Sequence, residues 1–171
     1  MFIEEINMVL ANESDRIATA LQKYSDSVYR ICFIYLGRRP EVDDVFQEVF
    51  LKLLQNKDTF ADEEHEKAWL IRVTINKCKD MVKGFWWRRI DLMEEVDLPG
   101  HEPEEKDLLR VVLSLPQKYK DVVYLHYYQD YTVPQIGKIL QRSENTIYSQ
   151  LHRARELMRQ ELEGKGHERA F

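Results

Sequence analysis

The chain has 171 residues, of which 44% are hydrophobic and 32% are charged. This balance is typical of a soluble globular protein with one or two small domains, and it argues against collagen-like or disordered chains. The formal net charge of −5 excludes a uniformly basic nucleic-acid-binding protein. No apolar run approaches the roughly 20 residues of a membrane span, and the N-terminal segment lacks the basic start of a signal peptide. We therefore expect a cytoplasmic protein without membrane insertion.

The first half of the chain has the apolar spacing of three helices. Apolar side chains recur at steps of three and four over residues 17–35, which predicts an amphipathic helix that ends before Pro40. A second helix is expected to begin near Glu41, and a third to run from about Lys67 to Lys83. The second helix carries a wide apolar stripe, made of Val42, Val45, Phe46, Val49, Phe50, Leu53 and Leu54. We expect these helices to close one domain over residues 1–88.

The net negative charge is concentrated in one segment. Residues 1–88 carry 13 basic and 15 acidic side chains, residues 89–107 carry 2 and 8, and residues 108–171 carry 10 and 7. The middle segment also contains Pro99 and Pro103 and has almost no aliphatic periodicity. These features predict an acidic, flexible linker between two all-α domains, the second of which is net basic.

The second domain contains strong signals for a pair of short-linked helices. Thr132 and Gln135 have the spacing of a capping box, and Pro134 lies in the first turn of the helix that they begin. Gln141 begins the turn, and Ser143 is the expected N-cap of the next helix. This arrangement predicts a helix-turn-helix.

The second helix of this motif has one apolar and one polar face. Its apolar residues, expected to pack against Ile136, Ile139 and Leu140, are Ile147, Leu151, Ala154 and Met158. Short polar groups and arginines on the other face could read bases and hold phosphates in a major groove. The candidate DNA-binding residues are Arg142, Ser143, Asn145, Thr146, Tyr148, Ser149, His152, Arg153 and Arg155. The alternative is the solvated face of an ordinary helical hairpin, but the coincidence of caps, short turn and arginines favours DNA binding.

The third helix has a cationic stripe opposite its apolar face. Arg72, Asn76, Lys79 and Lys83 are spaced four, three and four residues apart, and Trp69 flanks them. Cations, an amide and an aromatic ring suit single-stranded nucleic acid, because phosphates need charge and unstacked bases need a ring face. The alternative is that the cations are simply solvated and Trp69 belongs to the core.

The second helix has an unusual polar face. A leucine, Leu51, projects from the middle of a surface otherwise made of acids and amides. The polar residues around it are Asp43, Asp44, Gln47, Glu48 and Gln55. An apolar centre with a polar rim resembles a small protein-protein contact, although a lone exposed leucine is usually without function.

Four segments of the chain share the order and spacing of one known family. They are Asp43–Phe50, Trp69–Asn76 with Asp80, Leu113–Pro116, and Gln135–Leu140 followed by Ser143 and His152–Arg155. Together they resemble the extracytoplasmic-function (ECF) group of bacterial RNA polymerase sigma factors. The resemblance covers nearly the whole chain after about Ser14.

The resemblance implies a role for each of these surfaces. The surface of Asp43, Asp44, Gln47, Glu48 and Leu51 would dock on the clamp helices of the largest polymerase subunit. The loop Phe60–Lys67 and the third helix would melt and capture the minus-ten element, the helix-turn-helix would read the minus-thirty-five element, and the linker would pass through the polymerase toward the RNA exit. The minus-ten residues would be Phe60, Trp69, Arg72, Asn76, Lys79 and Lys83.

The resemblance also implies the partners. They are core RNA polymerase, through its clamp helices and flap region, promoter DNA in duplex and single-stranded form, and an anti-sigma factor of the kind common in the family. No catalytic residue, cofactor or metal is expected. The chain departs from the family at Gln141, where glycine is usual, so the turn either differs or carries the cost of a left-handed residue. Tyr148 and Gln150 stand where basic residues are common.

Two other classes of function remain as alternatives. A stand-alone helix-turn-helix regulator would not explain the polar face around Leu51 on the second helix. It would also leave the cationic stripe of the third helix unexplained. An enzyme is disfavoured because the sequence has no phosphate-binding glycine loop and no metal-binding histidine spacing. Cys32 and Cys78 are far apart in sequence, without metal-ligand spacing, and we expect both to be reduced core residues.

Overall fold

The computed structural model is helical and divides into two compact units, one within residues 1–87 and one within residues 88–171. The backbone is described for residues 2–37, 40–57, 59–84 and 110–168, and the side chains for residues 15–37, 40–57, 59–82 and 110–163. The all-α class predicted from the sequence is confirmed. The predicted acidic linker, residues 89–107, lies outside the described residues.

The first unit consists of three helices that contact one another pairwise. They are α1 (Phe2–Leu36), α2 (Glu41–Gln55) and α3 (Glu63–Gly84). Each helix contributes its apolar stripe to a common core, with Ile31, Val49 and Ile71 among the fully buried side chains. Cys32 on α1 and Cys78 on α3 are buried and free, so the prediction of reduced core cysteines is confirmed.

Helix α3 begins about one turn earlier than its apolar periodicity predicts. The carboxylate of Asp62 accepts the backbone N–H of His65 at 2.7 Å and caps the helix. Glu63, Glu64 and Glu66 occupy the first turn, where negative charge is favourable to the helix dipole. The predicted start near Lys67 is wrong because this first turn is acidic and contributes nothing to the apolar stripe.

The second unit is built around the long C-terminal helix. Residues 110–114 are helical, and they are followed by α4 (Gln117–Val123), α5 (Val133–Leu140) and α6 (Glu144–Glu168). The N-terminal half of α6 packs on α5, and Ala154 and Met158 pack farther along against Val112, Leu115 and Val123. The predicted packing of Ala154 and Met158 on the preceding short helix is therefore wrong. Helix α5 has eight residues and is about 12 Å long, too short to cover both halves of α6.

A π-helical turn, Tyr124–Tyr128, extends α4 and is not visible in the sequence pattern. A hydrogen bond closes this turn: the backbone N–H of Tyr131 donates to the carbonyl of Leu125 at 3.0 Å. The side-chain amide of Gln129 also donates to the hydroxyl of Tyr124 at 2.9 Å. The wider π turn is thus held by contacts that follow it in the chain.

The helix-turn-helix has the predicted caps. Oε1 of Gln135 accepts the backbone N–H of Thr132 at 2.9 Å, and Oγ of Ser143 accepts the backbone N–H of Thr146 at 3.2 Å. The backbone of Gln141 is left-handed, with φ 54° and ψ 48°. The turn therefore has the usual geometry, and Gln141 carries the conformational free-energy cost of a left-handed residue other than glycine. A Cβ on Gly137 would lie 2.9 Å from the carbonyl oxygen of Arg142, and this close approach explains the glycine.

Replacing Gln141 with glycine is expected to raise the free energy of unfolding by up to about 1 kcal/mol, because the left-handed cost exceeds the added backbone entropy. Urea unfolding of the full chain, followed by circular dichroism, measures the change. The matched variant Gly137→Ala should instead lose about 1–3 kcal/mol through the clash with the Arg142 carbonyl. A loss of stability in Gln141→Gly would contradict this account of the turn.

Candidate protein and nucleic-acid interfaces

The polar face of α2 is solvent-exposed, as predicted. The side chain of Leu51 is 54% exposed, and Val45 and Val49 are buried on the opposite face. Leu54, which the sequence pattern places in the core stripe, is instead 42% exposed one turn beyond Leu51. All five predicted polar neighbours of Leu51 are exposed with it, namely Asp43, Asp44, Gln47, Glu48 and Gln55. We call this face, made of Leu51, Leu54 and the polar residues around them, the Leu51 surface. Its apolar part is larger than predicted because it includes Leu54.

Glu48 also connects this surface to the rest of the first unit. Its carboxylate forms an ion pair with the ammonium group of Lys77 on α3. Both side chains remain partly exposed, so the pair contributes little to stability. Its effect is to orient the carboxylate at one edge of the Leu51 surface.

The cationic stripe of α3 lies away from its buried face. Asn76 is exposed, whereas Arg72 and Lys79 are half-buried. Leu70, Ile71 and other apolar residues line the core side of the same helix. The side chain of Lys83 lies outside the described residues, so its place on the stripe stays a prediction.

Phe60 and Trp69 form an aromatic pair at the start of α3. Their ring centroids are 5.6 Å apart in an edge-on arrangement, and the imidazole of His65 lies 5.5 Å from the Phe60 ring. Nδ1 of His65 accepts the backbone N–H of Ala61 at 3.2 Å and holds the loop that carries Phe60. The structure thus brings together two residues that periodicity alone could not connect.

A cleft of about 870 Å³ opens beside this pair. Its walls are formed by α1, by the end of α2, by the loop before α3 and by the first turn of α3. The lining residues are Arg16, Lys23, Leu54, Gln55, Asn56, Lys57, Thr59, Phe60, Asp62, Glu63 and Glu66. The guanidinium of Arg16 lies 5.9 Å from the centroid of the Phe60 ring. The sequence analysis did not predict a role for Arg16 and Lys23. The available signal was their spacing of seven residues on α1, which places both side chains on one face of the helix.

Ion pairs and a tyrosine hold α1 to the start of α3 at the base of the cleft. Lys23 pairs with Glu63 at 3.2 Å, and Arg16 pairs with Glu66 at 3.9 Å. The buried hydroxyl of Tyr24 donates to the carbonyl of Glu63 and to a carboxylate oxygen of Glu66, both at 3.3 Å. Burial, together with the nearby carboxylates of Glu66 and Glu63, raises the pKa of Tyr24. The hydroxyl therefore stays a hydrogen-bond donor to a higher pH than that of an exposed tyrosine.

The N-terminal half of α6 presents most of the predicted DNA-binding groups to solvent. Asn145, Ser149 and His152 are exposed, and Tyr148 is the most exposed at 59%. Thr146 is half-buried, and its hydroxyl lies 2.8 Å from that of Ser143. Ser143 and Thr146 are thus engaged in the helix cap, whereas the other groups point outward.

The arginines of this unit already have partners within the chain. Arg153 pairs with Glu156 at 2.9 Å, and its hydrogen bond lowers the pKa of that exposed carboxyl. Nε of Arg155 donates to the hydroxyl of Tyr127, on the π turn, at 2.7 Å. Each of these contacts occupies one guanidinium nitrogen, so a phosphate would compete with the protein group only for that nitrogen.

Arg142 is engaged in an internal ion pair, and its predicted contact with DNA stays a prediction. Its guanidinium is turned inward and lies 3.1 Å from the buried carboxylate of Asp121. The sequence placed Arg142 on the DNA face because it stands in the turn before α6. Only the packing of α4 against the turn shows that a buried acid draws this side chain away from solvent.

Comparison with known proteins identifies both units. The family model described as Sigma-70 region 2 matches residues 20–88, and that described as Sigma-70, region 4 matches residues 105–158. The ECF RNA polymerase sigma factor SigW of Bacillus subtilis (strain 168) is 26% identical, over 95% of this chain and 97% of its own length. RNA polymerase sigma factor SigV of the same strain is 26% identical over 85% of this chain and 90% of its own.

Two solved structures share the fold. The sigma factor RpoE from Bartonella quintana, in complex with the anti-sigma factor NepR, has a TM-score of 0.71 at 15% identity and covers 85% of this chain and 96% of its own. CnrH in complex with the cytosolic domain of CnrY has a TM-score of 0.65 at 18% identity and covers 88% and 90%. Among the described residues, no helix is long and apolar enough to cross a membrane.

These matches show that the chain belongs to the ECF-type sigma factors, the promoter-recognition subunits of RNA polymerase. Members of this class are non-enzymatic transcription initiation factors. The two matched regions account for most of the chain.

Proposed function

We propose that this chain acts in the cytoplasm as a dissociable, non-enzymatic sigma subunit with three separate binding surfaces. Residues 1–88 would dock on the polymerase and open the minus-ten element, residues 89–107 would be the acidic linker, and residues 108–171 would read the minus-thirty-five element. The observation that carries the proposal is the Leu51 surface, because a stand-alone DNA-binding regulator has no use for an apolar patch with an acidic rim on its other unit.

The Leu51 surface is suited to the clamp helices of the largest polymerase subunit. Leu51 and Leu54 supply an exposed apolar centre, and the acids and amides around them supply a polar rim. Binding energy in protein interfaces is concentrated in a few central side chains that a rim protects from water. Leu51 is the side chain that we expect to be buried most completely on docking.

The minus-ten site combines the Phe60–Trp69 pair with the α3 stripe. Extruding a base costs a few kcal/mol of stacking, and stacking on an aromatic side chain returns about 1–3 kcal/mol per base. Phe60 lies on the wall of the cleft and can provide such a ring face. Arg72, Lys79 and Lys83 would hold phosphates of the non-template strand, and Asn76 would hydrogen-bond to a base.

The minus-thirty-five site lies on α6. Its exposed groups stand on the N-terminal half of the helix, the part that a helix-turn-helix inserts into the major groove. Asn145, Tyr148, Ser149 and His152 would face base edges, and Arg153 and Arg155 would hold bases or phosphates. The flap region of the polymerase is the proposed partner that keeps this unit in place.

An anti-sigma protein is the proposed regulator. The solved relatives RpoE and CnrH are each in complex with another protein, NepR and the cytosolic domain of CnrY, and NepR is an anti-sigma factor. A protein that covers either DNA-binding unit or the Leu51 surface would keep this chain from the polymerase. The exposed apolar residues of the Leu51 surface would favour such binding.

Reconstitution with bacterial core polymerase tests the proposed function. The full chain and core enzyme are incubated with cognate genomic DNA, and run-off transcripts are sequenced to locate their promoters. Transcripts that depend on this chain support the proposal. DNA binding without core binding and without transcripts would instead identify a stand-alone regulator.

The variant Leu51→Asp is expected to lose binding to core polymerase while keeping its fold. A charge at the centre of an apolar contact removes a hot-spot residue, which corresponds to a loss of about 30-fold or more. Fluorescence titration of labelled chain with core enzyme measures the affinity. The control is Leu162→Asp, which changes a comparably exposed leucine in the other unit and should bind normally. Undiminished binding of Leu51→Asp would refute this docking surface.

The variant Phe60→Ala is expected to weaken binding of the non-template minus-ten strand by about 5- to 150-fold, the equivalent of one lost base stack. The assay is titration of the reconstituted holoenzyme with a single-stranded oligonucleotide from a promoter located by the run-off experiment. Phe60→Tyr retains the ring and serves as the control. If duplex minus-thirty-five binding falls as much as strand binding, Phe60 has only a general structural role.

The variant Arg153→Ala distinguishes base reading from phosphate holding. Loss of a base contact should weaken promoter binding by about 1–3 kcal/mol and relax specificity at one position. Loss of a phosphate contact should weaken all sequences alike and reduce the salt slope by about 1. The companion variant Glu156→Gln removes the internal partner of Arg153 and should tighten DNA binding. Equal affinity of both variants and the original chain would exclude Arg153 from the interface.

A further inference from the structure

A buried carboxylate lies behind the turn of the helix-turn-helix. The side chain of Asp121, on α4, has no exposed surface, and its Oδ2 accepts Nη2 of Arg142 at 3.1 Å. Its other oxygen accepts a long hydrogen bond of 3.4 Å from the side-chain amide of Gln117. The side chain of Arg142 is 23% exposed, so the pair reaches from the interior of the unit to its surface.

The same guanidinium also contacts the recognition helix. Nη1 of Arg142 donates to Oε1 of Gln150 at 3.0 Å, and Gln150 lies half-buried on the second turn of α6. One planar group thus joins α4, the turn and α6. Because the donors of a guanidinium diverge at fixed angles, two simultaneous bonds define the orientation of α6 as well as its distance from α4.

The energetics make this contact hard to break. A buried carboxylate without a partner is strongly unfavourable, so Asp121 holds Arg142 in place. The neighbouring Lys120 is also buried, and burial lowers its pKa, which makes it a poor substitute for a permanently charged guanidinium. Arg142 is therefore the cation best suited to remain paired with Asp121.

The backbone of the turn restrains Arg142 from the other side. The backbone N–H of Arg142 donates to the carbonyl of Gly137 at 3.0 Å, immediately after the left-handed residue Gln141. The side chain of Arg142 is fixed by Asp121 and Gln150, and its main chain is fixed by α5. The beginning of α6 has little freedom to move relative to α4 and α5.

We infer that the Asp121–Arg142–Gln150 cluster positions α6 for reading the minus-thirty-five element. Arg142 and Asp121 are positioning residues: they act on DNA through the placement of the exposed groups of α6, and Arg142 does not bind phosphate. This inference rests on the proposed function of α6 as the upstream reader. It assigns specificity to an internal contact, where the sequence suggested a surface cation.

Three variants of the full chain test the inference, namely Asp121→Asn, Arg142→Met and the double variant. Arg142→Met should be the least stable to urea because it leaves the Asp121 carboxylate buried without a cation from Arg142, and the double variant should recover much of that stability. We define discrimination as the ratio of two holoenzyme affinities, one for a promoter from the run-off experiment and one for the same duplex with a scrambled upstream element. All three variants should lose about tenfold in this ratio, a loss within the coupling energy expected among residues of one hydrogen-bonded network.

The double variant separates positioning from stability. If the pair only stabilises the unit, the double variant regains discrimination together with stability, and the inference is overturned. Recovered stability with lost discrimination supports it. The control Met158→Ala weakens the core beneath α6 without touching the ion pair, and it should keep discrimination.

Salt dependence tests the role of Arg142 directly. The slope of log affinity against log salt should be the same for Arg142→Met and the original chain, because no phosphate contact is lost. A slope reduced by about 1, with discrimination intact, would make Arg142 a phosphate ligand and overturn the inference.

Hydrogen exchange in the free chain provides a test without polymerase or DNA. Amides of residues 144–150 should exchange faster in the double variant, whereas those of residues 151–158 should be unchanged. Unchanged exchange over residues 144–150 would overturn the positioning role even if transcription is normal. If the original chain supports no transcription, the proposed function fails, and the exchange result still decides whether the cluster holds α6.

Discussion

Each helix of this protein can give only one face to a partner, because burial of its apolar stripe in a small core uses the other. In the first unit, Val45 and Val49 are buried by α1 and α3, which leaves the acidic and amide face of α2 outward with Leu51 in its middle. In the second unit, burial of Ile147 and Leu151 turns Tyr148 and His152 to solvent. The proposed binding surfaces of this sigma factor follow from that division of each helix.

Charge pairing within the chain limits how strongly the DNA-binding faces act alone. Arg153 is paired with Glu156, and Arg155 is hydrogen-bonded to Tyr127. A phosphate that binds through the same nitrogen of either arginine would displace that group, and the whole chain carries a net charge of −5. Both features are expected to weaken promoter binding by the free chain.

Much of the fold was predictable because its signals are local. The caps at Thr132 and Ser143 and the outward position of Leu51 follow from side chains three or four residues away or from helical periodicity. The predictions that were wrong concern features that neighbouring residues in the sequence do not specify. The first turn of α3 is acidic and has no apolar stripe, and Ala154 packs against helices that the sequence pattern did not place near it.

The sequence by itself determined the helices, their polar faces and the family, because these depend on residue type and spacing along one element. Only the tertiary structure decided which polar groups remain available to a partner. The cleft beside Phe60 is formed by α1, α2, the loop before α3 and the first turn of α3, and Arg142 is held by Asp121, 21 positions earlier in the chain. Periodicity tells which face of a helix is polar, but not which buried charge in another element lies against it. For this reason the sequence placed Arg142 on the DNA-facing surface, whereas the structure shows its guanidinium bonded to Asp121 and Gln150.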